Sequence, residues 1–159
     1  MASASTRYAN NDFEPEVSGS IAEEQSAYPR FNHHFNAEPD RRWQIEVQNH
    51  LVRFVRMEPG WDGYDAPPLR RDAGLFALEI LQGVMRPRTP LPQVVPSSMG
   101  GVQLEWHEKG IDLEIHITAP YQWELWFQDH QDPNTPPISL ELTDDLSPLR
   151  RPIQLLTAR

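Results

Sequence analysis

Cysteine is absent from the 159 residues. That excludes disulfides, thiolate metal centres and cysteine nucleophiles together, and it suits a reducing compartment, so a cytoplasmic location is expected. Long apolar runs are absent too. Nothing approaches the ~18 residues of a membrane-spanning helix, and the polar residues 1–10 lack the apolar stretch of a secretory signal. No HExxH, CxxC, GxSxG or P-loop pattern occurs, so no cofactor and no familiar catalytic class is implied.

Basic residues are missing where acids are densest. Residues 89–145 hold ten Asp or Glu and a single cation, Lys109. Residues 38–88 balance eight acids with eight arginines, and residues 146–159 carry three arginines and no acid. The overall net charge is −9. A field divided in this way repels a phosphate backbone and attracts a basic partner, so direct nucleic-acid binding is not expected.

Residues 1–37 are polar, show neither helical nor strand period, and predict a mobile arm. Five aromatics interrupt it, Tyr8, Phe13, Tyr28, Phe31 and Phe35. They suit either docking on the domain or folding onto a partner. A domain over 38–145 follows. Trp43, Val47, Leu51, Phe54 and Val55 recur at helical spacing and predict a helix over about 40–57, stopped by Pro59-Gly60. Ala73, Phe76, Ala77, Ile80, Leu81 and Val84 predict a second over about 70–85. A proline-rich stretch with at most a short edge strand near 93–95 comes next.

From Gly101 the period becomes two. Val102, Leu104 and Trp106, then Leu113, Ile115 and Ile117, then Trp123, Leu125 and Phe127, then Ile138, Leu140 and Leu142 alternate with polar residues. Short links make these an antiparallel meander. The expected fold is therefore α+β, with two helices on one face of a sheet of four or five strands, covering about 93–143. The tail over 146–159 has Leu149, Ile153, Leu155 and Leu156, enough to dock but too short to classify.

Two regions are candidates for function. The connector Gly60-Trp61-Asp62-Gly63-Tyr64-Asp65-Ala66-Pro67-Pro68 reads as a shaped turn in which Trp61 and Tyr64 pack on the helix pair and an aspartate ties the loop. The less favoured reading is a pocket beside Trp61 with Asp62 as polar contact. The polar sheet face is the second. A tight first hairpin would set Glu105 opposite Asp112 and Gln103 opposite Glu114; a second would set His116 opposite Glu124 and Glu114 opposite Trp126. The face then holds Glu105, His107, Asp112, Glu114, His116, Glu124 and Trp126. It suits solvent, a basic protein partner anchored on Trp126, or a metal-dependent hydrolase built on Glu105, His107, Glu114 and His116. Against the last stands geometry, since alternate strand residues lie nearly 7 Å apart on an open face. His33-His34 and His50 read as incidental, and Ser97-Ser98 as a loop without an identifiable base. The preferred expectation is a non-catalytic interaction module with no resident metal.

Gly60-Trp61-Asp62-Gly63-Tyr64 with Ala66-Pro67-Pro68, then Val94-Val95-Pro96, then Gly100-Gly101-Val102-Gln103-Leu104-Glu105-Trp106-His107 and Asp112-Leu113-Glu114-Ile115, resembles a family of small, largely uncharacterised bacterial proteins. The resemblance spans roughly residues 45–118. Asp65 departs from it, where glycine is expected. It implies a bacterial origin and an intact domain, and it brings no activity with it.

Overall fold

The fold is taken from a computed structural model that describes residues 42–159. The arm expected over 1–37 lies outside the described residues. Two helices come first, α1 (Arg42–Val55) and α2 (Arg71–Val84). Five strands follow: β1 (Gln93–Pro96), β2 (Val102–Glu108), β3 (Ile111–Ala119), β4 (Gln122–Asp129) and β5 (Ile138–Leu142). They form one antiparallel sheet in the order β1-β2-β3-β4-β5, the expected meander. The tail left unclassified by periodicity is a helix, α3 (Arg150–Ala158), entered through a 3-10 turn at Ser147–Leu149. Leu149, Ile153 and Leu156 join the same core as the other helices.

One face of the sheet is buried. Leu104 and Trp106, then Leu113, Ile115 and Ile117, then Leu125 and Phe127 are essentially inaccessible. The stripes of α1 (Trp43, Val47, Leu51, Phe54) and α2 (Ala73, Phe76, Ala77, Ile80, Leu81) complete this core. The helices pack over β1, β2 and β3. Covering one side only is what period-two strands with a polar alternate face require.

Buried tryptophans must still satisfy their N–H. Trp106 donates to the Pro90 carbonyl at 2.8 Å and Trp123 to the Thr143 carbonyl at 2.8 Å. Each thereby ties a proline- or acid-rich connection to the sheet. Asp129, at the buried end of β4, is 4% exposed and is held by both terminal nitrogens of Arg159 at 2.8 Å. The Gln131 N–H adds a bond at 3.0 Å.

The 60–68 connector and the turn before β2 pack on each other. The Arg70 N–H donates to the Gly100 carbonyl at 2.9 Å, and Pro67 and Pro68 border Gly100. Gly101 has no room for a side chain, because a Cβ there would overlap the carbonyl oxygen of Ile117. Gly101→Ala should therefore prise β2 from β3 and destabilise by roughly 1–3 kcal/mol, as overpacking does. Urea denaturation reads the change directly. An unchanged midpoint would mean that the β2 entrance is looser than described.

Candidate functional site

The uncovered sheet face is built by the residues that alternate with the core. Three cross-strand rows run over it. One holds Val95, Gln103, His116, Glu124 and Glu141; the next Gln93, Glu105, Glu114, Trp126 and Ser139; the third His107, Asp112 and Gln128. The expected pairing of β3 with β4 is present, with His116 opposite Glu124 and Glu114 opposite Trp126. The expected pairing of β2 with β3 is not. Glu105 faces Glu114 rather than Asp112, Gln103 faces His116 rather than Glu114, and His107 faces Asp112. The cause is the turn. Lys109 and Gly110 both have positive φ, 57° and 72°, so they form a two-residue hairpin loop and Glu108 pairs with Ile111.

The observed register keeps the same residues on the face and changes which acids meet. Glu105 stands directly opposite Glu114, and Glu124 directly opposite Glu141. Like charges so placed cost roughly 0.2–1 kcal/mol per pair. No position of the three rows is Lys or Arg. Lys109 is turned away, its Nζ donating to the Leu156 carbonyl at 2.6 Å. Trp126 is half-buried within this acidic field.

One end of the face holds a cluster that periodicity alone does not reveal. The His107 Nδ1–H donates to one Asp112 oxygen at 2.9 Å, and the His130 Nε2–H to the other at 2.6 Å. Glu105 approaches His107 Nε2 to 3.6 Å. Because both flanking groups are carboxylates, the imidazolium form of His107 suits its surroundings best. The Asp112 hydrogen bond, reinforced by the charges of Asp112, Glu105 and Glu114, raises its pKa above the ordinary 6.5. Bonds from His130 and His107 hold the Asp112 carboxyl below its ordinary 3.8. His130 was legible only through the register, because Asp129 pairs with Ile111 and the next residue must then flank Asp112.

His116 lies in another row. Its Nε2 is 3.3 Å from Ser97 Oγ, so Ser97 does have a base beside it, contrary to expectation. The same Oγ accepts the Met99 N–H at 3.3 Å, which makes the pair a clamp on the β1–β2 turn. Among the described residues no three His, Cys, Asp or Glu side chains are grouped to hold a metal ion. Glu105, His107, Glu114 and His116 thus stand as neighbours in the sheet rather than as a ligand set.

The connector is closed on itself. Asp62 Oδ1 accepts the N–H groups of Tyr64 at 2.9 Å and Ala66 at 3.3 Å, and Trp61 Nε1–H donates to the Pro67 carbonyl at 2.9 Å. Trp61 is half-buried, whereas Tyr64 is 84% exposed and does not pack on the helix pair as expected. The Asp62 turn fixes the Tyr64 backbone and leaves the ring outside. A groove of about 660 Å³ lies elsewhere, between the end of α2, residues 144–147 and α3. Its charges are mixed, Arg86, Arg88 and Arg150 with Asp144 and Asp145. Among the described residues no helix is long and apolar enough to cross a membrane. Comparison with protein-family models, curated proteins and solved structures finds no match to this chain.

Two measurements check this geometry. A raised His107 pKa stabilises the fold fully below 6.5 and the effect is lost as pH rises through the raised value; a lowered Asp112 pKa stabilises above 3.8 and is lost as pH falls through the lowered value. The stability gap between wild type and Asp112→Asn should accordingly be wider at about pH 5.5 than at about pH 8.5. Equal gaps would show that His107 gains no charge from the carboxylate. In the connector, Trp61→Phe should cost about 1 kcal/mol, the worth of its one hydrogen bond, and Tyr64→Ala should change stability by less than about 0.5 kcal/mol. Thermal melts of both variants test the pair.

Proposed function

We propose that this chain is a non-catalytic interaction module that binds a basic protein through its uncovered sheet face. The carrying observation is the two pairs of directly opposed glutamates, Glu105 with Glu114 and Glu124 with Glu141, around Trp126, with no Lys or Arg at any position of that face. A sheet face that only met solvent gains nothing from opposed like charges. Replacing one member of each pair by Lys or Thr would relieve them at no cost to the core. Local conflicts of this kind belong to functional surfaces. The carboxylates steer a partner of opposite sign, and Trp126 supplies the amphipathic ring that binding hot spots favour. His107 and Asp112 lie at the rim of the same surface, and His116 in its first row.

The most specific form of this reading is neutralisation of a bacterial toxin or nuclease in the manner of an antitoxin or immunity protein. It joins the acidic face to the bacterial origin that the resemblance implies, and it places the chain in the cytoplasm. The loop carrying Trp61, Asp62 and Tyr64 is a secondary contact candidate through the exposed Tyr64 ring alone. Among the described residues no grouped ligand set supports the metal-dependent hydrolase reading.

The test is kinetic. A basic protein captured from a bacterial lysate on the immobilised chain should bind more slowly to Glu105→Lys and Glu124→Lys, with the rate of association falling as salt is raised. Trp126→Ala should instead accelerate dissociation about 30-fold, the equivalent of a lost hot spot of about 2 kcal/mol. A partner indifferent to salt and to all three substitutions would overturn the proposal. So would one lost on Tyr64→Ala alone.

A further inference from the structure

The two edge strands of the sheet differ in where proline falls. β1 is four residues long, ends on Pro96 and follows Pro90 and Pro92. Proline lacks the N–H that a new strand needs, so this edge is guarded. β5 contains no proline and no basic residue. It pairs with β4 on one side, and no strand among the described residues covers the other. Ile138 and Leu142 of β5 pack against the margin of the core, whereas Leu140 between them, on the same apolar side, is 38% exposed. Pro136 and Pro137 stand just before β5 and Glu141 lies within it, but the five residues of β5 themselves all keep their N–H groups, and an uncovered strand edge of this kind is a template for another strand.

The β5 sequence selects the strand that fits. In a symmetric antiparallel pair about an axis normal to the sheet, one residue faces its own mate, because opposed residues share a face. Centring the axis on Ile138 or Ser139 sets Pro137 of one copy against the strand of the other. A Glu141 centre opposes two glutamates, and a Leu142 centre sets Leu140 against Asp144. Only a Leu140 centre satisfies every position: Leu140 meets Leu140, Ile138 meets Leu142, and Ser139 meets Glu141. Glu141 already faces Glu124 within its own chain. A hydroxyl on its open side is the complementary neighbour, where a further carboxylate would be repelled.

We infer that the free edge of β5 is a self-association surface, at which two copies pair antiparallel about Leu140 into one continuous sheet. The contact is small, so association is concentration-dependent and belongs to the weak end of protein interfaces. It borders the acidic face, with which it shares Ser139 and Glu141, but it runs through the backbone edge and does not depend on what that face binds.

The lack of cysteine makes the test register-specific, since a single introduced thiol in this chain can bond only to a second copy. Directly opposed Cα atoms lie about 4.5–5.5 Å apart, within disulfide reach. Residues 139 and 141 are each displaced from their own mates by about two residues along the strand, nearly 7 Å before the lateral spacing is added, which is too far. Leu140→Cys should give a covalent dimer under mild oxidation. Ser139→Cys and Glu141→Cys should each stay monomeric, yet cross-link when mixed. In analytical ultracentrifugation near physiological salt the wild type should show a concentration-dependent rise in mass, and Leu140→Lys should lose it with an unchanged circular dichroism spectrum. A wild type that stays monomeric at every accessible concentration overturns the inference. So do equal cross-linking of all three single thiols and a dimer that survives Leu140→Lys.

Discussion

The exposed face rests on a two-residue turn. Lys109 and Gly110, both at positive φ, close the hairpin between β2 and β3 and thereby decide which side chains meet across it. Three further bonds anchor the turn. Lys109 Nζ reaches the Leu156 carbonyl on α3, Gln131 Nε2 donates to the Lys109 carbonyl at 3.0 Å, and the His130 N–H donates to the Gly110 carbonyl at 2.9 Å. A Cβ on Gly110 would also crowd the Gln131 side chain at 2.9 Å. The same residue pair therefore fixes the register, docks the end of α3 and brings His130 alongside Asp112. Lys109, the only Lys or Arg of residues 89–145, is engaged there, so the uncovered face carries neither.

Most of the fold was legible because burial imposes it. Trp43, Val47, Leu51 and Phe54 must share a helix face, and Leu113, Ile115 and Ile117 a sheet face, whatever the loops do. The register between β2 and β3 was less legible. Slipping a hairpin by two residues keeps every side chain on its face, so the apolar pattern is satisfied by pairing Glu105 with Asp112 or with Glu114. Only the backbone of the turn distinguishes them, and Lys-Gly announces a primed turn less plainly than Asn-Gly. α3 was hidden for a different reason. Nine residues rarely sustain a helix alone, and this one is held by Leu149, Ile153 and Leu156 in the core and by Arg159 on Asp129. The cluster of His107, Asp112 and His130 inherits the uncertainty of the register that forms it.

The histidines moderate the face without cancelling it. His107 sits between Glu105 and Asp112, so a proton there offsets one carboxylate at one end of the surface. Glu114, Glu124 and Glu141 lie in the other two rows. As pH rises through the raised His107 value that offset is lost, and the acidic field is then at its strongest. A fold with a compact apolar core and buried indoles tied at both flanks of the sheet tolerates the cost of opposing like charges, because no core contact runs through the polar residues.

Asp129 shows that the unpaired acids are not forced by a shortage of arginine. It belongs to β4, as do Glu124 and Trp126, but its side chain is on the buried face. There the chain supplies a guanidinium that meets both carboxylate oxygens, together with the Gln131 N–H. A buried carboxylate without partners would be prohibitive, so this pairing is obligatory. Glu114 and Glu124 lie on the uncovered face, and their repulsion with Glu105 and Glu141 is small enough to be carried by the rest of the sheet. Of the arginines close to hand in the sequence, Arg150 and Arg151 belong to α3 and Arg159 follows its last residue, and α3 packs against the covered side. The chain thus segregates its charges by face. Acids keep their field where no cation neutralises it, and a partner that brings cations to that surface relieves the repulsion between Glu105 and Glu114 and between Glu124 and Glu141 as it binds. That relief is a binding term that a solvated, charge-balanced sheet could not offer.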